Sequence, residues 1–221
     1  MANGYRLRLT RDELEPQARL RTPLPPLNRV LYALDGQLSI EAGASRASLN
    51  ANEAWHGAGP CAVAAGPTGA SILRYELVKA EAPATPAAGA RSTLLLEHDI
   101  RLDGSAAFLM RCDRVDFDLG GEALAHRHQG GGIRCLIAGS MELRVEGEPA
   151  RTIAPGQAWF ESGREPVYAK ASASEATSFI RCSILPAAIR GKSSIMYVDP
   201  AHAASKPRRY AVFVDEPIAL P

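Results

Sequence analysis

The chain has 221 residues, 46% of them apolar and 22% charged, with a formal net charge of +1. That is enough apolar material for one large or two small globular domains, and it excludes a disordered chain. A charge this close to neutral, with no local Lys/Arg block, excludes a general attraction to nucleic acid or to an acidic membrane surface. The opening segment MANGYRLRLTRDELEP has no apolar core of the secretory type, and no run approaches the roughly 18 apolar residues of a membrane span. A cytoplasmic protein is the expectation.

In chain order, RDELEPQARL (11–20) offers a helical turn or two before Pro16 and the following polar residues cut it short. RVLYALDGQLSIEAG (29–43), NEAWHGAG (52–59) and ASILRYEL (70–77) are short β-rich runs bounded by Gly, Asn and Asp. KAEAPATPAAGARS (79–92) is rich in Ala, Pro and Gly and reads as a linker. Strand-like runs resume at RCLIAGSMELRVEG (134–147), GQAWFESG (156–163) and TSFIRCSIL (177–185). A second short helical stretch, AAIRGKSS (187–194), and a tail strand, YAVFVDE (210–216), complete the chain. This predicts an all-β protein: a first domain over 1–80, a linker over 81–91, a second domain over 92–200, and a tail over 201–221 whose strand covers a sheet edge. The four cysteines form no CxxC, so Cys135 and Cys182, set in apolar strands, are read as small core residues.

Three blocks recur in the same order at a separation of about 105 residues: 29–43 with 134–147, 52–59 with 156–163, and 70–77 with 177–185. An internal duplication is the economical explanation. It makes Trp55 and Trp159 equivalent and favours a packing role for both.

His126 and His128 stand two residues apart. On an extended strand they point to one face and can reach one cation, with Zn, Fe, Ni, Cu or Mn acceptable to imidazole. Two imidazoles alone make a weak site, so a further ligand is expected from Glu161, Gln129, Tyr168, Glu165 or His98, with Glu161 the first choice. Gly130, Gly131 and Gly132 leave room beside the pair. Counting by two from the histidines turns Arg134 inward, where a guanidinium needs an anionic partner: Glu161, or the carboxylate of a bound molecule.

The second half resembles a cupin. Gly120, His126, His128 and Gly139 fall at the spacings of that family's first motif, with Gly132 in place of its glutamate. APGQAWFESGREPVYAKA is similar to the second motif, with Val167 near the position of its last histidine. In the first half, TPLPP faces the histidine pair under the duplication, so the whole resembles a bicupin with a degenerate N-terminal barrel and an incomplete metal motif in the C-terminal one. The resemblance implies two antiparallel β-barrels of the jelly-roll (double-stranded β-helix) type. It also implies one divalent transition metal (Fe, Zn, Ni or Mn) on His126, His128 and Glu161. Arg134, Gln129 and Tyr168 are the residues expected to touch substrate. The implied activity is a metal-dependent enzyme acting on a small, carboxylate-bearing organic molecule. A dioxygenase leads, with isomerase, lyase or hydrolase chemistry close behind. The competing expectation is a non-catalytic bicupin that binds or senses a small molecule with little or no metal. Homodimerisation through strand edges is a further expectation.

Overall fold

The computed structural model describes residues 3–204 and 208–221. Its regular elements are almost entirely antiparallel strands, grouped into two units: Met1–Ala106 with Ile218–Pro221, and Ala107–Pro217. The first unit contains β1 (Asn3–Leu14), β2 (Asn28–Ala42), β3 (Ser45–Asn50), β4 (Ala54–Gly57), β5 (Ala62–Lys79) and β6 (Arg91–Leu102). The second contains β7 (Phe108–Phe117), β8 (Glu122–His128), β9 (Gly132–Ala138), β10 (Met141–Val145), β11 (Arg151–Ile153) and β12 (Ala158–Glu161). It continues with β13 (Val167–Ala171), β14 (Thr177–Pro186), β15 (Ile195–Tyr197) and β16 (Arg208–Ile218).

In the second unit two five-stranded sheets, ordered β12-β9-β14-β7-β16 and β11-β10-β13-β8-β15, enclose a core that includes Leu136, Met141, Leu143, Trp159 and Phe179. Trp159 is buried and meets Phe179 edge-on, at a centroid distance of 5.3 Å. The first unit follows the same path with fewer breaks: its strands are ordered β3-β2-β5-β1-β6, with β4 also on β2. β2 and β5 are long enough to run round the corner that separate strands share in the second unit. The bend in β2 comes at Gly36, where register shifts flank a residue with φ +74°. Gly139, φ +69°, occupies the equivalent place and lies between β9 and β10. The stretch of the first unit equivalent to β8 makes only isolated bridges, Arg19 with Ala64 and Leu24 with Cys61. Trp55, on β4, is partly buried against the core around Leu31, Leu38 and Ile40.

Three expectations change. The unit boundary falls after Ala106, not in 81–91. That proline-rich segment belongs to the first unit because its backbone carbonyls are used: Arg8 donates to Ala82 O (2.8 Å) and Pro83 O (2.9 Å), and Arg21 N–H to Ala88 O (2.7 Å). Residues 11–14 are not helical but extend β1, paired on both sides by β5 and β6. AAIRGKSS begins with a single 3-10 turn, Ala187–Ile189. The tail strand, β16, lies against β7 and takes the edge of its sheet.

Inward alternation on β1, β2 and β5 also buries charge. Arg29 donates to Glu76 through Nε (3.0 Å) and Nη2 (2.8 Å), and Arg74 bridges Glu76 (2.5 Å) and Asp12 (2.6 Å). The duplication sets Arg29 against Arg134 and Arg74 against Arg181, so both units bury an arginine pair at the same places. Two guanidiniums and two carboxylates leave this network neutral, and Glu76 serves both cations. Glu76→Ala is therefore expected to cost about 3–5 kcal/mol, the usual penalty for breaking a buried pair. Arg46→Ala, at a side chain 83% exposed, should leave the denaturation midpoint in place. Equal midpoints for the two variants in urea would show that the network carries no such weight.

Candidate metal centre

His126 and His128 end β8 between β13 and β15, with Val167 and Tyr197 as the register partners of His126 and Ile195 that of His128. Alternation turns both imidazoles inward, edge to face at 4.9 Å. Glu161 reaches them from β12, and the ligand atoms of these three buried residues all lie within 4.8 Å of one another. Glu161 is the direct register partner of Gly132. A Cβ at Gly132 would sit 2.3 Å from Ser183 Oγ and 2.6 Å from Cys182 O, so no side chain fits there. Glu161, on the strand beside β9, therefore brings a carboxylate next to a position that cannot carry one. Val167, the register partner of His126, is buried and lines the same chamber.

The second layer fixes the three groups. His126 Nδ1 lies 2.8 Å from Leu124 O, a donor geometry that leaves Nε2 as the lone-pair nitrogen, and His128 Nδ1 meets Ser194 Oγ at 3.3 Å. Trp159 Nε1 donates to Glu161 Oε1 (2.8 Å), while Arg134 Nη2 lies 2.7 Å from Oε2. Distance makes the latter an ion pair, although Oε2 accepts no well-aligned hydrogen bond, and His128 Nε2 lies 3.5 Å from the same oxygen. Two imidazoles and one carboxylate are a donor set that a divalent transition ion takes, and these residues fit one. Free space in the chamber is about 20 Å³, enough for a single small species. A neighbouring pocket of about 330 Å³ shares Arg181 and Tyr210 with it and has the size of a small-molecule site.

The expected residues divide cleanly. His126, His128, Glu161 and Arg134 converge. Arg134 faces inward through the alternation of β9 itself, not through an unbroken strand from the histidines, because residues 129–131 form a bend between β8 and β9. Tyr168 does not join the site: on β13 the inward residues are Val167, Ala169 and Ala171, and the Tyr168 ring lies under Arg144 on the other face, at 5.2 Å. Gln129 sits in the bend, its N–H on Ser194 O (2.9 Å), and does not line the chamber. Glu165 pairs with Ser162, and His98 is exposed on β6. Sequence reasoning missed Arg181, Arg208, Ser194 and the two tyrosines 197 and 210. Arg181 is the nearest to legible, because inward alternation on the third repeated block places it beside Phe179. All four cysteines are buried thiols, with Cys112 opposite Cys182 across β7 and β14.

Burial lowers the His126 imidazole below its ordinary value and His128 well below it, with Arg134 and Arg181 adding repulsion at His128. Both are neutral at pH 7, as ligands require. The unfolded chain takes up these protons near pH 6.5, where the folded chain does not. Stability is therefore complete above about pH 6.5 and falls as the pH drops below it, by about 1.4 kcal/mol per pH unit for each proton. Urea midpoints measured between pH 8 and 5 should decline only in the lower half of that range, and less steeply in His128→Gln. A flat profile, or one unaltered by that substitution, would contradict neutral buried imidazoles.

No family model matches the chain, and no curated protein matches it by sequence. Solved structures do match in shape. AerE from Microcystis aeruginosa is similar at a TM-score of 0.56 and 15% identity, over 83% of this chain and 88% of that one. A variant of oxalate decarboxylase from Bacillus subtilis gives 0.65 and 12% identity, over 92% and 77%. The formate complex of the Lactobacillus farciminis oxalate decarboxylase gives 0.63 and 13% identity, over 93% and 87%. Likeness at such low identity across nearly the whole chain establishes the fold: all-β, with two cupin-type jelly-roll barrels in one chain.

Proposed function

We propose that the second barrel is the working half of a single-metal enzyme acting on a small organic molecule. The observation that carries this is the convergence of two neutral imidazoles and one carboxylate, from β8 and β12, on a buried chamber beside a pocket of small-molecule size. Two histidines with one carboxylate form the donor set of non-haem iron oxygenases, so dioxygenase chemistry is the leading reaction class. A bound ion would supply Lewis acidity and a template, with positions open to substrate. His126 holds its lone-pair nitrogen, Nε2, free of Leu124 O, and Trp159 fixes the Glu161 carboxylate through Oε1. The apolar floor of Val115, Phe117 and Phe179 limits water. The solved relatives named oxalate decarboxylase lend the reading support from shape.

One observation favours a second reading, a non-catalytic binding barrel: Arg134 already neutralises Glu161. The two readings part on metal content. Elemental analysis of the purified chain should find no more than one transition-metal atom per chain, abolished in the His126→Ala/His128→Ala double variant. Two atoms per chain, or metal retained by the double variant, would overturn the assignment. Arg134→Met removes the competitor for Glu161. It is expected to tighten metal binding by roughly tenfold, about 1.4 kcal/mol, while destabilising the metal-free chain by about 3–5 kcal/mol through a stranded carboxylate. A variant no tighter for Zn²⁺ or Fe²⁺ than wild type would favour the binding barrel.

A further inference from the structure

Three arginines face the chamber, and they are not equivalent. Arg134 has Glu161 and also donates to Gly132 O (2.6 Å). Arg181 is gripped by Asp113 through Nε (3.0 Å) and Nη2 (2.6 Å). Arg208, the first residue of β16, is 8% exposed and has no carboxylate within ion-pairing distance among the described residues. Its Nε donates to Tyr210 Oη (2.6 Å) and its Nη2 to Tyr197 Oη (2.9 Å), and its charge lies 5.9 Å from each of those rings. Nη1 is buried and has no hydrogen-bond partner among the described residues.

Of the three guanidiniums, Arg134 pairs with Glu161 and Arg181 with Asp113. One positive charge remains, on Arg208. Aromatic faces and phenol oxygens ease a buried guanidinium but do not neutralise it. A folded chain keeps such a charge where an anion comes to meet it. We propose that Arg208 is the anchor for a small carboxylate, held by Nη1 at the wall shared with His126, His128 and Glu161. This deepens the proposed function by naming its substrate class, and it rests on that reading only in taking this chamber as the working site. Carboxylate suits the place better than phosphate. Nε and Nη2 are already oriented by tyrosines, so one nitrogen is offered, which matches a single charge and not a dianion that needs several donors. Tyr210, which orients Nε, also lines the neighbouring pocket of about 330 Å³. Arg134, expected from sequence to serve this purpose, is committed to Glu161.

The test is acetate binding to the full, metal-free chain by ligand-observed NMR, with chloride and inorganic phosphate at matched ionic strength as comparisons. Wild type should bind acetate, Arg208→Gln should bind it at least tenfold more weakly, and Arg208→Lys should keep part of the affinity. In acetate-free buffer Arg208→Gln should melt no lower than wild type, since it removes an uncompensated buried cation. Four results would overturn the proposal: no acetate binding, binding untouched by Arg208→Gln, Arg208-dependent binding of phosphate alone, or a lowered melting temperature of the unliganded Gln variant, which would make the residue structural. Metal uptake is measured separately on the same variants. Acetate binding with no metal uptake would retain the anchor and remove the metal enzyme, and the reverse result would do the opposite.

Discussion

A guanidinium inside a β-barrel must find negative charge, and that constraint organises both halves of this protein. Each unit turns arginines inward from equivalent strands, and each solves the problem with its own acids. Glu76 and Asp12 do so in the first unit, Glu161 and Asp113 in the second. The Arg134–Glu161 pair is the point on which the chemistry of the chain turns. It holds a buried carboxylate beside two imidazoles, and it also competes for that carboxylate with any cation the imidazoles attract.

The way the pair is built explains how three candidate ligands meet from two strands. Gly132 has no room for a side chain, and its ladder partner Glu161 brings a carboxylate to the histidines from the adjacent strand. Val167, opposite His126, closes the remaining side with hydrocarbon. The result is a small chamber whose polar groups come from five strands (β8, β9, β12, β14 and β16), each fixed by its sheet and not by a loop. Such placement holds side chains to the tolerances that coordination and catalysis need.

Much of the fold was legible in the sequence, because period-2 alternation and a repeat of about 105 residues report directly on strands and duplication. The histidine pair was legible from the alternation, and Glu161 from its nearness to the turn at the barrel mouth and from its charge. Residues 79–92 were not, because composition does not reveal that carbonyls with no side chain to mark them will be claimed by Arg8. Residues 11–14 read as helical while tertiary pairing made them strand. Tyr168 was misplaced by treating nearness to the motif as facing it. Arg208 was invisible: it lies eighty residues or so from the histidines in a tail read only as a cover for an edge, and its significance comes from what it lacks, which only three dimensions can display.

The first unit carries one more lesson. At the place of β8 it has Thr22 and Leu24 where the second unit has its histidines, and yet its arginines remain paired and its core remains closed. In the first unit the arginines are compensated by acids alone, so charge compensation does not require imidazoles on the strand opposite. A barrel of this kind keeps a charge-balanced interior whether or not that strand carries histidines, so the strand can change without stranding a buried charge.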